Sequence, residues 1–156
     1  MSSFVNSKHK KLSLKEIFAI AAKETGGRYT SEQIEASVGL EIHQYKALAI
    51  REGNTLFIVH TVPNQPTVAV FRALNADVIP NYLKNSVEFT KAIGLMGYKY
   101  LITKFEDKSL LNIFEYVRRN APFDDMGYAV QQMPDKQYKV TVSLGNGKSK
   151  KTKEAK

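Results

Sequence analysis

The chain has no cysteine. That excludes a disulfide framework and thiolate chemistry, and leaves any metal to histidine and carboxylates. The three histidines, His9, His43 and His60, fall too far apart for a His-x-His or His-x-x-x-His ligand pair. No apolar run approaches the roughly 18 residues of a membrane span. Met1 to Asn6 lack the apolar stretch of a secretion signal, and an intracellular protein is expected. There is no Gly-x-x-x-x-Gly-Lys phosphate loop and no Gly-x-Ser-x-Gly nucleophile turn. Acidic residues are few, 15 against 23 lysines and arginines, for a net charge of +8. That excess is local. Lys8, Lys10 and Lys11 lie at one end, and Lys148, Lys150, Lys151, Lys153 and Lys156 at the other, so the middle is close to neutral. These eight lysines are the candidate polyanion contacts, with residues 1–12 read as a basic arm and 145–156 as a lysine-rich tail.

What remains, residues 13–144, suits one α/β domain with a core of its own. Ser13-Leu14-Lys15-Glu16 has the reciprocal Ser/Glu spacing of a capping box and opens a helix that stops at Gly26-Gly27. Thr30-Ser31-Glu32-Gln33 repeats the device and opens a shorter helix to Val38, with Gly39 at its end. From Ile42 the period changes to two, which predicts a strand opened by His43 and ending at the Glu52-Gly53-Asn54 turn. Thr55 to Val62 is the next strand. Pro63 to Pro66 form a loop, and Thr67 to Phe71 a third strand.

Residues 67–105 then read as strand, crossover helix, strand. Pro80 suits the start of a helix running to about Met96, and Tyr98 to Phe105 returns as a strand. Two strands joined in this way are expected to be parallel neighbours, with a ligand crevice at their carboxyl ends around Arg72 to Asp77. A helix from about Ser109 to Asn120, then strands at Met126–Met133 and Gln137–Leu144, complete the domain. Tyr98, Tyr100 and Phe105 alternate with Lys99 and Lys104, a pattern that could stack bases and hold phosphates but is read as that of a half-buried strand.

The order α-α-β-β-β-α-β-α-β-β resembles the GCN5-related N-acetyltransferase (GNAT) fold without its first strand. The "Pro-Phe" at 122–123 ahead of the final hairpin strengthens the likeness. Small size and lysine-rich ends make the chain similar to the GNAT-like proteins of some tailed bacteriophages. The resemblance implies a mixed α/β sheet in which the strands at 67–71 and 98–105 splay to admit the pantetheine arm of acetyl-CoA. It also implies a diphosphate loop, Arg/Gln-x-x-Gly-x-Gly/Ala, beginning at Arg72. Asn75 and Asp77 then stand at its two glycine positions, where a carboxylate repels phosphate. Read locally, Asn75 or Asp77 caps the following helix. In the family's pattern for the tyrosine that protonates the departing thiolate, Asp107 takes the asparagine position, Leu110 the alanine and Phe114 the tyrosine. Phe114 has no proton to give, and Tyr116 lies about 200° around the helix. Residues 67–71 contain no acid to serve as a base, which leaves His60 on the neighbouring strand, either packed or catalytic.

The expectation is therefore a non-catalytic GNAT-like protein with no cofactor and no catalytic residue, acting through a protein partner or assembly, as in a virion. An acetyltransferase with a divergent loop at Arg72, Asn75 and Asp77, taking acetyl-CoA, is the alternative. A nucleic-acid binder working through its basic ends is the second alternative.

Overall fold

In a computed structural model, which describes residues 11–123 and 125–145, six strands form one mixed sheet in the order β1-β2-β3-β4-β6-β5. The elements run α1 (Leu14–Glu24), α2 (Ser31–Tyr45), β1 (Leu48–Glu52), β2 (Thr55–Val62), β3 (Gln65–Asn75), α3 (Ile79–Leu95), β4 (Tyr100–Phe105), α4 (Leu111–Asn120), β5 (Gly127–Gln132) and β6 (Tyr138–Ser143). This is the expected GNAT-like order, with β3 and β4 parallel across α3 and every other pairing antiparallel.

Both capping boxes form. The Ser13 hydroxyl accepts from the Glu16 amide while the Glu16 carboxylate accepts from the Ser13 amide, and Thr30 and Gln33 do the same. α1 turns Ile17, Phe18 and Ala21 onto Ile34 and Val38 of α2 and onto Leu56 and Ile58 of β2. Leu12 belongs to this layer. It packs on that cluster, and its amide and carbonyl bond to Asn54 and Arg51, so the segment expected as an arm is docked from Leu12 onward.

The opposite face of the sheet carries α3 and α4 over the larger core, in which Phe57, Ala69, Phe89, Ile93, Leu101 and Val140 are almost wholly shielded from solvent. Phe57 and Phe89 stack with ring centres 4.1 Å apart. Gly94 of α3 sits where an added Cβ would stand 2.4 Å from Cζ of Phe123, so the helix meets the "Pro-Phe" segment at the one residue without a side chain.

Several element limits differ from expectation, with β4 starting at Tyr100 and α4 at Leu111, each two residues late, and larger shifts in α2, β1 and β3. α2 passes through the exposed Gly39 and ends only at Lys46, whose left-handed backbone (φ 55°, ψ 38°) turns its amide back to the Glu41 carbonyl. A glycine inside a helix costs about 1 kcal/mol, which is offset by contacts of the turns beyond it, where Glu41 pairs with Arg72 and Tyr45 stacks on His60. His43 therefore lies on α2, and β1 starts at Leu48. β3 is longer than residues 67–71 at both ends, because β2 offers pairing to Asn75 at one end and, past a bulge between Thr61 and Val62, to Gln65 at the other.

At the end of β1, partial burial raises the Glu52 carboxyl above the ordinary glutamate value. Glu88 raises it further and Lys91 opposes both. A raised acid favours the folded state below the ordinary glutamate pKa, and that contribution is lost as pH rises through the folded value. Glu52→Gln is thus expected to melt higher than the parent at pH 7 and at the same temperature near pH 4. Equal melting points at both pH values would show that the carboxyl is fully solvated.

Candidate ligand-binding cleft

β3 and β4 pair only over Val68–Val70 and Tyr100–Ile102. Beyond that point each strand stays with its outer neighbour. β3 follows β2 to the Thr55/Asn75 pair, and β4 follows β6 to the Phe105/Tyr138 pair. The carboxyl ends of the two strands therefore diverge, as the resemblance implied. A cavity of about 160 Å³ occupies the opening, under α3 and α4.

Strand alternation decides what faces it. Phe71 and Ala73 of β3 and Leu101, Thr103 and Phe105 of β4 lie on the α3/α4 side. α3 adds Tyr82, Ser86, Phe89 and Thr90, a helical stripe spaced by three and four. The Ser86 and Thr90 hydroxyls donate to the carbonyls of Tyr82 and Ser86 within the helix. No described residue hydrogen-bonds the Tyr82 or Thr103 hydroxyl, although Thr103 is buried. Burial pushes the Tyr82 phenol above the ordinary tyrosine value, so at neutral pH it is a hydrogen-bond donor. Among the described residues lining the cavity there is no carboxylate and no imidazole.

Phe114 is in the wall, stacked on Phe105 with centres 5.8 Å apart and 6.1 Å from the Tyr128 ring. Tyr116 takes no part in the lining. His60 is on the other face of the sheet, stacked on Tyr45, so it does not face the cleft and cannot serve as a base there. Tyr82, Thr103 and Tyr128 were not singled out from the sequence. The available signal for the first was a polar ring leading an otherwise core-facing stripe, 82-86-89-93.

The three residues expected at the diphosphate loop serve other contacts. Arg72 contributes to the cleft rim, but its guanidinium is on the α2 side, paired with Glu41 at 2.6 Å and bonded to Ser37 at 3.2 Å. The Asn75 side chain accepts from Thr55 Oγ1 and the Asp77 amide, and donates to the Asp77 carbonyl. Asp77 accepts from the Asn54 amide at 2.7 Å and from Asn85 Nδ2 at 2.7 Å. Neither residue caps α3: the cap is Val78, with no side-chain bond, so the local capping expectation is corrected. The reason is distance along the chain, because Asp77 precedes the cap and its carboxylate reaches the β1–β2 turn instead. That turn is pressed against it. Gly53 has φ 56°, and a Cβ there would stand 2.8 Å from both Asp77 and Asn85.

An open, polar groove of about 560 Å³ runs beside this clamp, with Lys11, Arg51 and Lys84 on its walls and Asp77 among them. Arg51 is occupied by the carbonyls of Gly53 and Leu12 and the Asn54 side chain. Of the eight candidate polyanion lysines, Lys11 alone is among the described residues. The other seven lie outside them.

The fold and cleft define a mixed α/β domain of GNAT-like order with a slot between splayed parallel strands. No protein-family model and no curated protein matches the chain. A solved acetyltransferase of the GNAT family from Streptococcus pneumoniae is similar at a TM-score of 0.44 and 12% sequence identity, over 86% of this chain and 96% of that one. Among the described residues no helix is long and apolar enough to cross a membrane, and no three potential ligands gather for a metal ion.

Proposed function

We propose that the chain is a GNAT-like binding domain without acetyl-transfer machinery, with a structural or interaction role. The observation that carries this reading is the chemistry of the cleft, whose described lining has neither acid nor imidazole. Moving an acetyl group from a thioester to an amine needs a base for the amine and a proton for the departing thiolate. Phe114 stands where the resemblance places the proton donor. The diphosphate loop adds a second obstacle, since Asp77 keeps a carboxylate at a glycine position and is bonded there by Asn54 and Asn85. Membership of a larger assembly, such as a virion, and polyanion binding through the terminal lysines belong to the same proposal and rest on the sequence resemblance and charge.

Equilibrium dialysis with labelled acetyl-CoA, run beside a thiol-release assay with amine substrates, tests it. The expected result is no saturable binding in the micromolar range and no thiol release above the uncatalysed rate. An active acetyltransferase is the second reading. It is favoured by the divergence of β3 from β4 and by two phenols, Tyr82 and Tyr128, at the cleft. Saturable binding together with thiol release would establish that reading in place of the first.

A further inference from the structure

We infer that the cleft holds a neutral, single-ring aromatic molecule carrying one polar group. The inference deepens the binding reading and rests on it. Volume sets the size: about 160 Å³ is close to the roughly 150 Å³ of an engineered apolar cavity that stays dry and binds benzene. Shape and surface set the class. One wall is the Phe57, Phe71 and Phe89 cluster, with ring centres 4.1 to 6.4 Å apart. The other is Phe105, Phe114 and Tyr128, with neighbouring centres 5.8 and 6.1 Å apart. A ring between two aromatic clusters gains offset-stacked or edge-to-face contacts on both sides.

Charge is excluded by the same walls. Two cations, Arg72 and Lys104, border the cavity, but Arg72 is paired with Glu41 behind the sheet and Lys104 is exposed, on the strand face opposite Thr103 and Phe105. A carboxylate or ammonium in the cavity would lose its hydration with no countercharge to replace it. One polar group can nevertheless be bonded, because Tyr82 and Thr103 are lining residues and neither hydroxyl is hydrogen-bonded among the described residues. A ligand hydroxyl or carbonyl would satisfy them.

The test is calorimetric titration of the full-length protein with phenol, benzene and benzoate. Phenol is expected to bind saturably at about millimolar concentration or tighter. Benzoate should bind at least tenfold more weakly. Tyr82→Phe, which removes one oxygen and keeps the ring, should weaken phenol roughly two- to tenfold and leave benzene unchanged. Thr103→Val is the second probe of the same polar contact. Failure of phenol and benzene alike to bind the folded protein overturns the inference, as does benzoate binding as tightly as phenol. Phenol binding unaffected by both substitutions also overturns it, because the polar contact would then be absent. Acetyl-CoA turnover, read separately by thiol release, tells against the binding reading itself, whereas ring titration in a protein without turnover bears on this inference alone.

Discussion

Phe89→Ala is expected to lower the stability of the domain by about 3–5 kcal/mol. Phe89 is 1% exposed, stacked on Phe57 and tilted against Phe71, and it joins α3 to both β2 and β3. Truncation removes the transfer free energy of the ring and leaves a void that backbone on three elements prevents from closing. The void would open into the existing cavity, so collapse around it is hindered further. For a domain of this size the loss corresponds to a fall in melting temperature of roughly 10 °C. Phe114→Ala is the control, since Phe114 is only half-buried and its loss should cost less. Chemical denaturation followed by circular dichroism measures both. A Phe89→Ala protein as stable as its parent would mean that α3 does not pack on the sheet as described.

Asp77→Ala should cost about 2–3 kcal/mol, a large effect for a half-buried loop residue. Its carboxylate holds the Asn54 amide and the Asn85 side chain, and Asn54 is 7% exposed. Without Asp77 the Asn54 amide loses its 2.7 Å carboxylate acceptor, and the β1–β2 turn loses its anchor to α3. Hydrogen exchange at the Asn54 amide should quicken in step with the loss of global stability. The substitution also bears on the cofactor question. Asp77→Gly would remove a charge from the expected diphosphate position, but it would release the hairpin as well, so a gain of acetyl-CoA binding has to be judged on protein shown to be folded. Unchanged stability in Asp77→Ala would place this carboxylate in solvent and free it for another role.

The sequence by itself was decisive wherever the determining contacts lie within about one helical turn or one hairpin. Ser13/Glu16 and Thr30/Gln33 are complete capping devices three residues apart, and both form. Pro80 in the first turn of α3 and the length of the 67–105 segment were enough for a parallel crossover, because few other paths return a strand to the same sheet. Gly39 misled, since glycine is a stop signal only where nothing beyond it makes contact, and the pairing of Glu41 with Arg72 and the stacking of Tyr45 on His60 are tertiary facts. The cleft was legible as a place and not as a chemistry. Arg72, Asn75 and Asp77 are where the crossover predicts a site. Their side chains are spent on Glu41, Thr55 and Asn54, which lie 31, 20 and 23 positions earlier in the chain. Strand alternation tells that Phe71 and Arg72 point to opposite faces, but not which face carries α3 and α4. Only the packing of the two helical layers assigned Phe71 to the cavity and Arg72 and His60 to the other side. A side chain's nearest partner in sequence is fixed by backbone geometry, whereas its nearest partner in space depends on how separate elements dock, and that docking gave Asn75 and Asp77 their partners on the β1–β2 hairpin.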